Sequence, residues 1–268
     1  MNRNKLLDTP VQGIQPKYEI TKTCIVPFYR STSKKRGSSF RYATLNVKEH
    51  KKHLAFHQAG HAAAMYLYNK DRSLPPVFFQ IKFKDIKEEN NEYAVIHRAI
   101  YGDRIARIEG GRSVQSLPFS IEESTHKQFD SSDSIVQLIP DYMNAFEADI
   151  INLLIGPLAE ARYVHDCDNE PLTRHLVDIE ALGYYAGDSD LALVHEYLQN
   201  LFLSPSQQDK KLYELFTLAF NFVKKNAYWN AITQLAEYIY ENNNPVIIYE
   251  EIAFVLESAL AELQKKAS

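Results

Sequence analysis

His57-Gln58-Ala59-Gly60-His61 is the stretch that decides how this chain is read. Two imidazoles four residues apart lie one helical turn apart on one face, about 6 Å along the axis. That is how a helix offers two nitrogen ligands to one zinc ion. In the enzymatic version, H-E-x-x-H, the residue after the first histidine is a glutamate that takes a proton from the attacking water. Here that position is Gln58, whose amide can accept a hydrogen bond but cannot take up a proton at neutral pH. The chain has nine histidines, and His53 extends the stripe, so the pair alone also fits a helix face that is merely rich in histidine.

Working outward, the pattern from Val47 to Tyr68 is helical, with Leu54, His57, His61, Ala64, Met65 and Tyr68 at three- and four-residue spacings. Before it, residues 1–46 mix Pro, Gly, Ser and charge without periodicity and read as an extended or flexible lead-in. Thr23 to Tyr29 is one short candidate edge strand there, and 31–41 a loop. After Pro75-Pro76, Val77 to Phe83 and Tyr93 to Ile100 carry the aromatic and β-branched enrichment of strands. Arg104 to Ile121 reads as a further strand or loop.

From Asp141 onward the chain is helical: Met143 to His165, with Pro157 marking a kink or fresh start, then Thr173 to Tyr185. A helix near Asp190 follows, with Asp188 and Ser189 as cap residues. Gln207 to Lys225, Ala227 to Asn242 and Ile247 to Lys265 close the sequence, with Asn242-Asn-Asn-Pro245 as a breaker. The fold class expected is mainly α (α+β), a helical domain over 47–268 with a small β element after the His-bearing helix.

Bulk properties exclude several roles. The 268 residues are 45% hydrophobic and 24% charged, with a net charge of -4, ordinary for a globular protein and without the basic footprint of a nucleic-acid binder. Lys34-Lys35-Arg36 reads as a solvated loop. Two cysteines, Cys24 and Cys167, imply no disulfide framework. No stretch approaches the roughly 20 apolar residues of a membrane helix. Met1 to Asp8 lacks the apolar core of a signal peptide. The expectation is a cytoplasmic protein without a membrane span.

Three segments, in order, carry a resemblance. They are His57-Gln-Ala-Gly-His61 with Ala62-Ala63-Ala64, Glu147 through Gly156-Pro-Leu-Ala159-Glu160, and Ala186-Gly187-Asp188-Ser189-Asp190-Leu191. Together with Phe222 to Ile252 they resemble the peptidase domain of the FtsH-type ATP-dependent zinc proteases, over about residues 47–262. The family's helix reads H-E-A-G-H, a later one carries G-G-x-x-A-E, and G-A-S-N-D-L supplies the third zinc ligand. The resemblance implies zinc held by His57, His61 and Asp190, with Gln58 at the catalytic position. Two imidazoles and a carboxylate are a standard three-ligand set that leaves a fourth position open.

The departures bear on function. Gln58 replaces the base, Ile155 the first glycine of the second signature, and Ala186-Gly187 reverses the small-residue order. Residues 85–140 read as holding an insertion. No G-x-x-x-x-G-K-[ST] loop occurs, so the resemblance implies that ATP-driven unfolding would come from a separate ATPase partner. The reading is a zinc-binding peptidase-like domain, impaired in hydrolysis, that engages a peptide or protein segment, with Val77 to Phe83 as the strand for pairing with it. An active endopeptidase would follow if Gln58 is an engineered substitution or Glu196 reaches the water, and a metal-free interaction domain is the third reading. Glu160 reads as a packing or capping carboxylate, His165 and Cys167 as helix-end residues, His195-Glu196 as solvent-facing, and Trp229 as core.

Overall fold

A computed structural model describes residues 47–85, 104–114, 132–201 and 204–267. The candidate strands at 23–29 and 93–100, Cys24, and the basic loop near 34–36 lie outside the described residues. Helix α1 (Val47–Ala63) runs into a π-helical turn (Ala64–Tyr68) and a last α turn (Asn69–Asp71). Strands β1 (Phe79–Asp85) and β2 (Arg104–Gly110) follow, then the 36-residue α2 (Ser132–Cys167). A 3₁₀ turn (Glu180–Tyr185) leads to α3 (Asp188–Asn200) and α4 (Pro205–Lys224). Then come α5 (Asn226–Glu241), the two-residue β3 (Val246–Ile247) and α6 (Tyr249–Ala267). The fold is mainly α with a small three-stranded sheet.

The periodicity of α1 suggests one buried face, but every residue from Ala55 to Ala64 is buried. Small side chains at Ala55, Ala59, Gly60, Ala62, Ala63 and Ala64 let neighbours approach from all sides, so α1 is a central helix rather than a surface one. It packs chiefly on α2 and α5, while α2 packs on α4 and α5 on α6. The core joins Phe56, Ile151, Leu154, Leu158, Leu235 and Ile252, each at most 6% exposed.

Four expectations change. Pro157 starts no new helix; α2 runs through it, because helix packing on both sides outweighs the roughly 3 kcal/mol that an interior proline costs. Within Thr173 to Tyr185 only the Glu180–Tyr185 turn is helical. Asp188 and Ser189 are not caps: Gly187 holds the N-cap position of α3 with no side-chain bond. Finally, β1 offers no free strand to an incoming peptide at its centre. The sheet order is β2-β1-β3, and β1 is antiparallel to both neighbours, with Ile81 opposite both Ile108 and Ile247. Asn242 to Pro245 leads into β3, and the Pro245 carbonyl accepts from Phe83 N–H at 2.9 Å. Strand β2 lies within the stretch read as an insertion and pairs along its whole length with β1.

Ser204 begins α4 with a capping box, its N–H donating to Gln207 Oε1 at 2.9 Å. Among the described residues no helix is long and apolar enough to cross a membrane.

Candidate metal centre

His57 and His61 project from the buried middle of α1, and Asp190 from the first turn of α3. All three are buried or nearly so, at 5%, 6% and 9% exposure. Helix α2 brings them together. Its Asn152 carbonyl accepts from His61 Nδ1–H at 2.8 Å, and its Glu160 Oε2 accepts from His57 Nδ1–H at 3.1 Å. Glycine makes the approach possible: a Cβ at Gly156 would overlap the His61 ring, and one at Gly60 would sit 2.6 Å from Ala159 Cβ and 2.8 Å from the Ile155 carbonyl. The Ala186-Gly187 pair positions Asp190. Ala186 takes a left-handed conformation (φ 54), and a Cβ at Gly187 would lie 2.6 Å from the Leu182 carbonyl. The chain therefore turns tightly against the 3₁₀ turn before entering α3.

Hydrogen bonding at Nδ1 determines what the opposite nitrogens can do. An imidazole that donates from Nδ1 carries, when neutral, a lone pair on Nε2. Both Nε2 atoms then face each other at 3.1 Å. Asp190 Oδ2 lies 3.2 Å from His57 Nε2, and Oδ1 lies 3.6 Å from His61 Nε2. With both imidazoles neutral, three electron-pair donors would converge with no proton between them. Such a group is stable only around a shared cation, either a proton on His57 Nε2 or a metal ion. The separations bracket about 3.3 Å, the edge given by tetrahedral angles and zinc–ligand bonds of roughly 2.0–2.1 Å. The buried triad could therefore hold a metal ion.

The electrostatics favour a cation in either form. Burial opposes charge on His57, but hydrogen bonds and charge from Asp190 and Glu160 outweigh it and raise its pKa to about 10. Burial likewise opposes the carboxylates, yet His53 and His57 bring Glu160 down to about 2, and His61 and His57 hold Asp190 far below the usual range. Asp190 also stands where the unpaired amides of the first turn of α3 favour negative charge.

Next to His57 in α1, Gln58 is buried, and among the described residues its Oε1 has no hydrogen-bond partner. Glu160 is more than a packing residue: its second oxygen faces His53 Nδ1 at 3.4 Å. Its spacing from His57, 103 residues, hides that role, and only its place four residues after Gly156 on α2 signals it. Asn152 leaves no such signal, because its backbone carbonyl does the work. His195 and Glu196 are exposed, as expected. Glu196, six residues after Asp190 on the same helix, points roughly 120° away from it around the axis. His165 lies in the last turn of α2, as expected of a helix-end residue, and is buried at 4%; its Nδ1 lies 3.8 Å from Glu170 Oε2, and among the described residues neither ring nitrogen has a hydrogen-bond partner. Cys167 is an exposed free thiol.

Comparison with protein-family models, curated proteins and solved structures gives no match to this chain.

Proposed function

We propose that this chain is a zinc-binding, FtsH-peptidase-like domain that engages a peptide or protein segment and hydrolyses it poorly at best. The observation that carries the reading is the convergence of His57 Nε2, His61 Nε2 and Asp190, with both imidazole tautomers set by acceptors on α2. The resemblance also gives a physical role to small residues in the matched segments, since Gly60, Gly156 and Gly187 stand where a Cβ would collide.

Zinc, when bound, would supply a Lewis acid that polarises a peptide carbonyl and acidifies water. The residues of the chain divide the remaining work. Glu160 and the Asn152 carbonyl orient the two imidazoles, and Asp190 supplies negative charge. Gln58 offers Oε1 as a buried acceptor that can hold a water or substrate N–H but cannot take a proton. Glu160 is held by His53 and His57, and Glu196 is exposed, so neither is placed to replace it.

The test is Gln58→Glu beside the unaltered chain, each loaded with zinc and given a quenched-fluorescence peptide library. A positioned base contributes about 10²–10⁴ in rate, so cleavage should rise by that factor and vanish with chelator. Equal activity in both proteins would refute the role given to Gln58.

One observation favours a second reading. The same triad closes without metal if His57 is an imidazolium held by Asp190 and Glu160, in keeping with its raised pKa. Elemental analysis of purified protein separates the two: about one zinc per chain, lost in Asp190→Ala, supports the metal centre, and no retained or added zinc supports the buried ion pair.

A further inference from the structure

On the other side of α1 from the triad lies a second feature with its own chemistry. A cavity of about 440 Å³ opens between α1, α2 and α5. Each helix contributes a stripe at three- and four-residue spacing: Lys52, Ala55 and Phe56 from α1, and Tyr163, Asp166 and Cys167 from α2. Trp229, Thr233, Ala236, Glu237, Tyr240 and Glu241 come from α5. The space exists because Ala55, Thr233 and Ala236 are small where the three helices meet.

The walls are aromatic and the rim is acidic. Phe56 stacks on Tyr163 with centroids 4.1 Å apart and meets Trp229 at 5.5 Å. Two cations already use these rings: the Arg162 guanidinium lies 4.3 Å from the Trp229 centroid, and Lys52 Nζ lies 5.6 Å from that of Tyr240. At the rim, Asp166 faces Arg162 at 3.8 Å. Glu237 and Glu241 are exposed and make no ion pair among the described residues. Arg162 and Lys52 offset two of the three carboxylates, so the cavity and its rim keep a net negative charge, carried by Glu237 and Glu241. Aromatic faces attract cations, and paired carboxylate oxygens match the planar donors of a guanidinium better than they match an ammonium.

We propose that this cavity is a binding site for a guanidinium-bearing organic cation, its planar head between Glu237 and Glu241 and its aliphatic stem against Phe56 and Trp229. The volume falls in the range of small-molecule pockets, which begins at roughly 300 Å³. The source is either a free guanidino compound or an arginine side chain on a polypeptide. The site shares no residue with the metal triad and needs no metal.

Trp229 is the sole tryptophan of the chain and lines the cavity, so its fluorescence reports occupancy directly. The full chain is titrated with agmatine, with a capped arginine tripeptide, and with neutral pentylurea, in zinc and in chelator. The expected result is a saturable Trp229 change with agmatine, the tripeptide or both, none with pentylurea, and the same affinity with and without metal. Binding by the tripeptide alone assigns the side chain of a polypeptide, and binding by agmatine shows that a free guanidinium suffices. The double variant Glu237→Gln, Glu241→Gln should bind about tenfold more weakly or worse. Both positions are exposed, and circular dichroism checks that the fold is retained. As a second readout, ligand should slow maleimide labelling of Cys167 at the rim. No saturable binding of either cation, equal binding of pentylurea, or affinity unchanged in the double variant would each overturn the proposal. Because the measurement is independent of metal, its failure leaves the zinc reading untouched, and the reverse holds as well.

Discussion

A single imidazole, that of His57, is held by a carboxylate at each end: Glu160 at Nδ1 and Asp190 at Nε2. Without metal this makes it a buried cation, and its effect on stability has a definite sign. Its pKa is raised from 6.5 to about 10, so its contribution is full below pH 6.5 and is lost as pH rises toward 10. Glu160 is lowered from 4.5 to about 2, so its contribution is full above pH 4.5 and is lost as pH falls toward 2. Chelated protein should therefore show its highest urea midpoint between pH 4.5 and 6.5. Replacing Glu160 with Gln removes one carboxylate from His57 and should move the alkaline decline to lower pH. A midpoint flat from pH 6.5 to 10 in the unaltered protein would contradict the buried imidazolium.

Among the elements, the contact of α1 with α2 and the entry into α3 set the positions of His57, His61 and Asp190. Gly156→Ala places a methyl group in the His61 ring. It should cost about 1–3 kcal/mol in urea unfolding, typical of overpacking, and weaken zinc binding as His61 is displaced. Ala186→Gly should act in the opposite direction. Its left-handed φ of 54 strains an alanine and suits a glycine, so a gain of about 0.5–1 kcal/mol is expected, with zinc affinity unchanged. At Gly187 the backbone is not left-handed, and the absent side chain serves close approach to Leu182 and Pro157. The reversed order of the Ala-Gly pair thus divides two demands, turning and close packing, between adjacent residues. The ends of α4, α5 and α6 follow from periodicity and breakers to within about two residues. The unbroken α2 does not, because a proline's local cost is visible in sequence and the compensating packing is not.

For the molecule as a whole, a metal at the triad would tie α1 to α3 across 133 residues of chain. Ligand that binds only the folded state stabilises it by mass action, about 2.7 kcal/mol when free zinc is 100 times its Kd. Adding zinc should raise the melting temperature, excess chelator should reverse the rise, and Asp190→Ala should abolish it. A melting temperature indifferent to zinc in the unaltered protein would leave the buried ion pair as the better account.

The sequence by itself determined the helical class, the four-residue spacing of His57 and His61, and an amide rather than a carboxylate at position 58. These are local properties, carried by helical period and side-chain chemistry. It also pointed to Asp190, but through a resemblance between segments rather than through spacing. Tertiary structure alone decided that both Nε2 atoms and Asp190 converge, that Glu160 and the Asn152 carbonyl orient the imidazoles, and that β1 has strands on both sides. The physical reason is that these contacts join groups tens to more than a hundred residues apart. They depend on how closely helix backbones can approach, which small residues permit, and no periodicity along the chain records that distance.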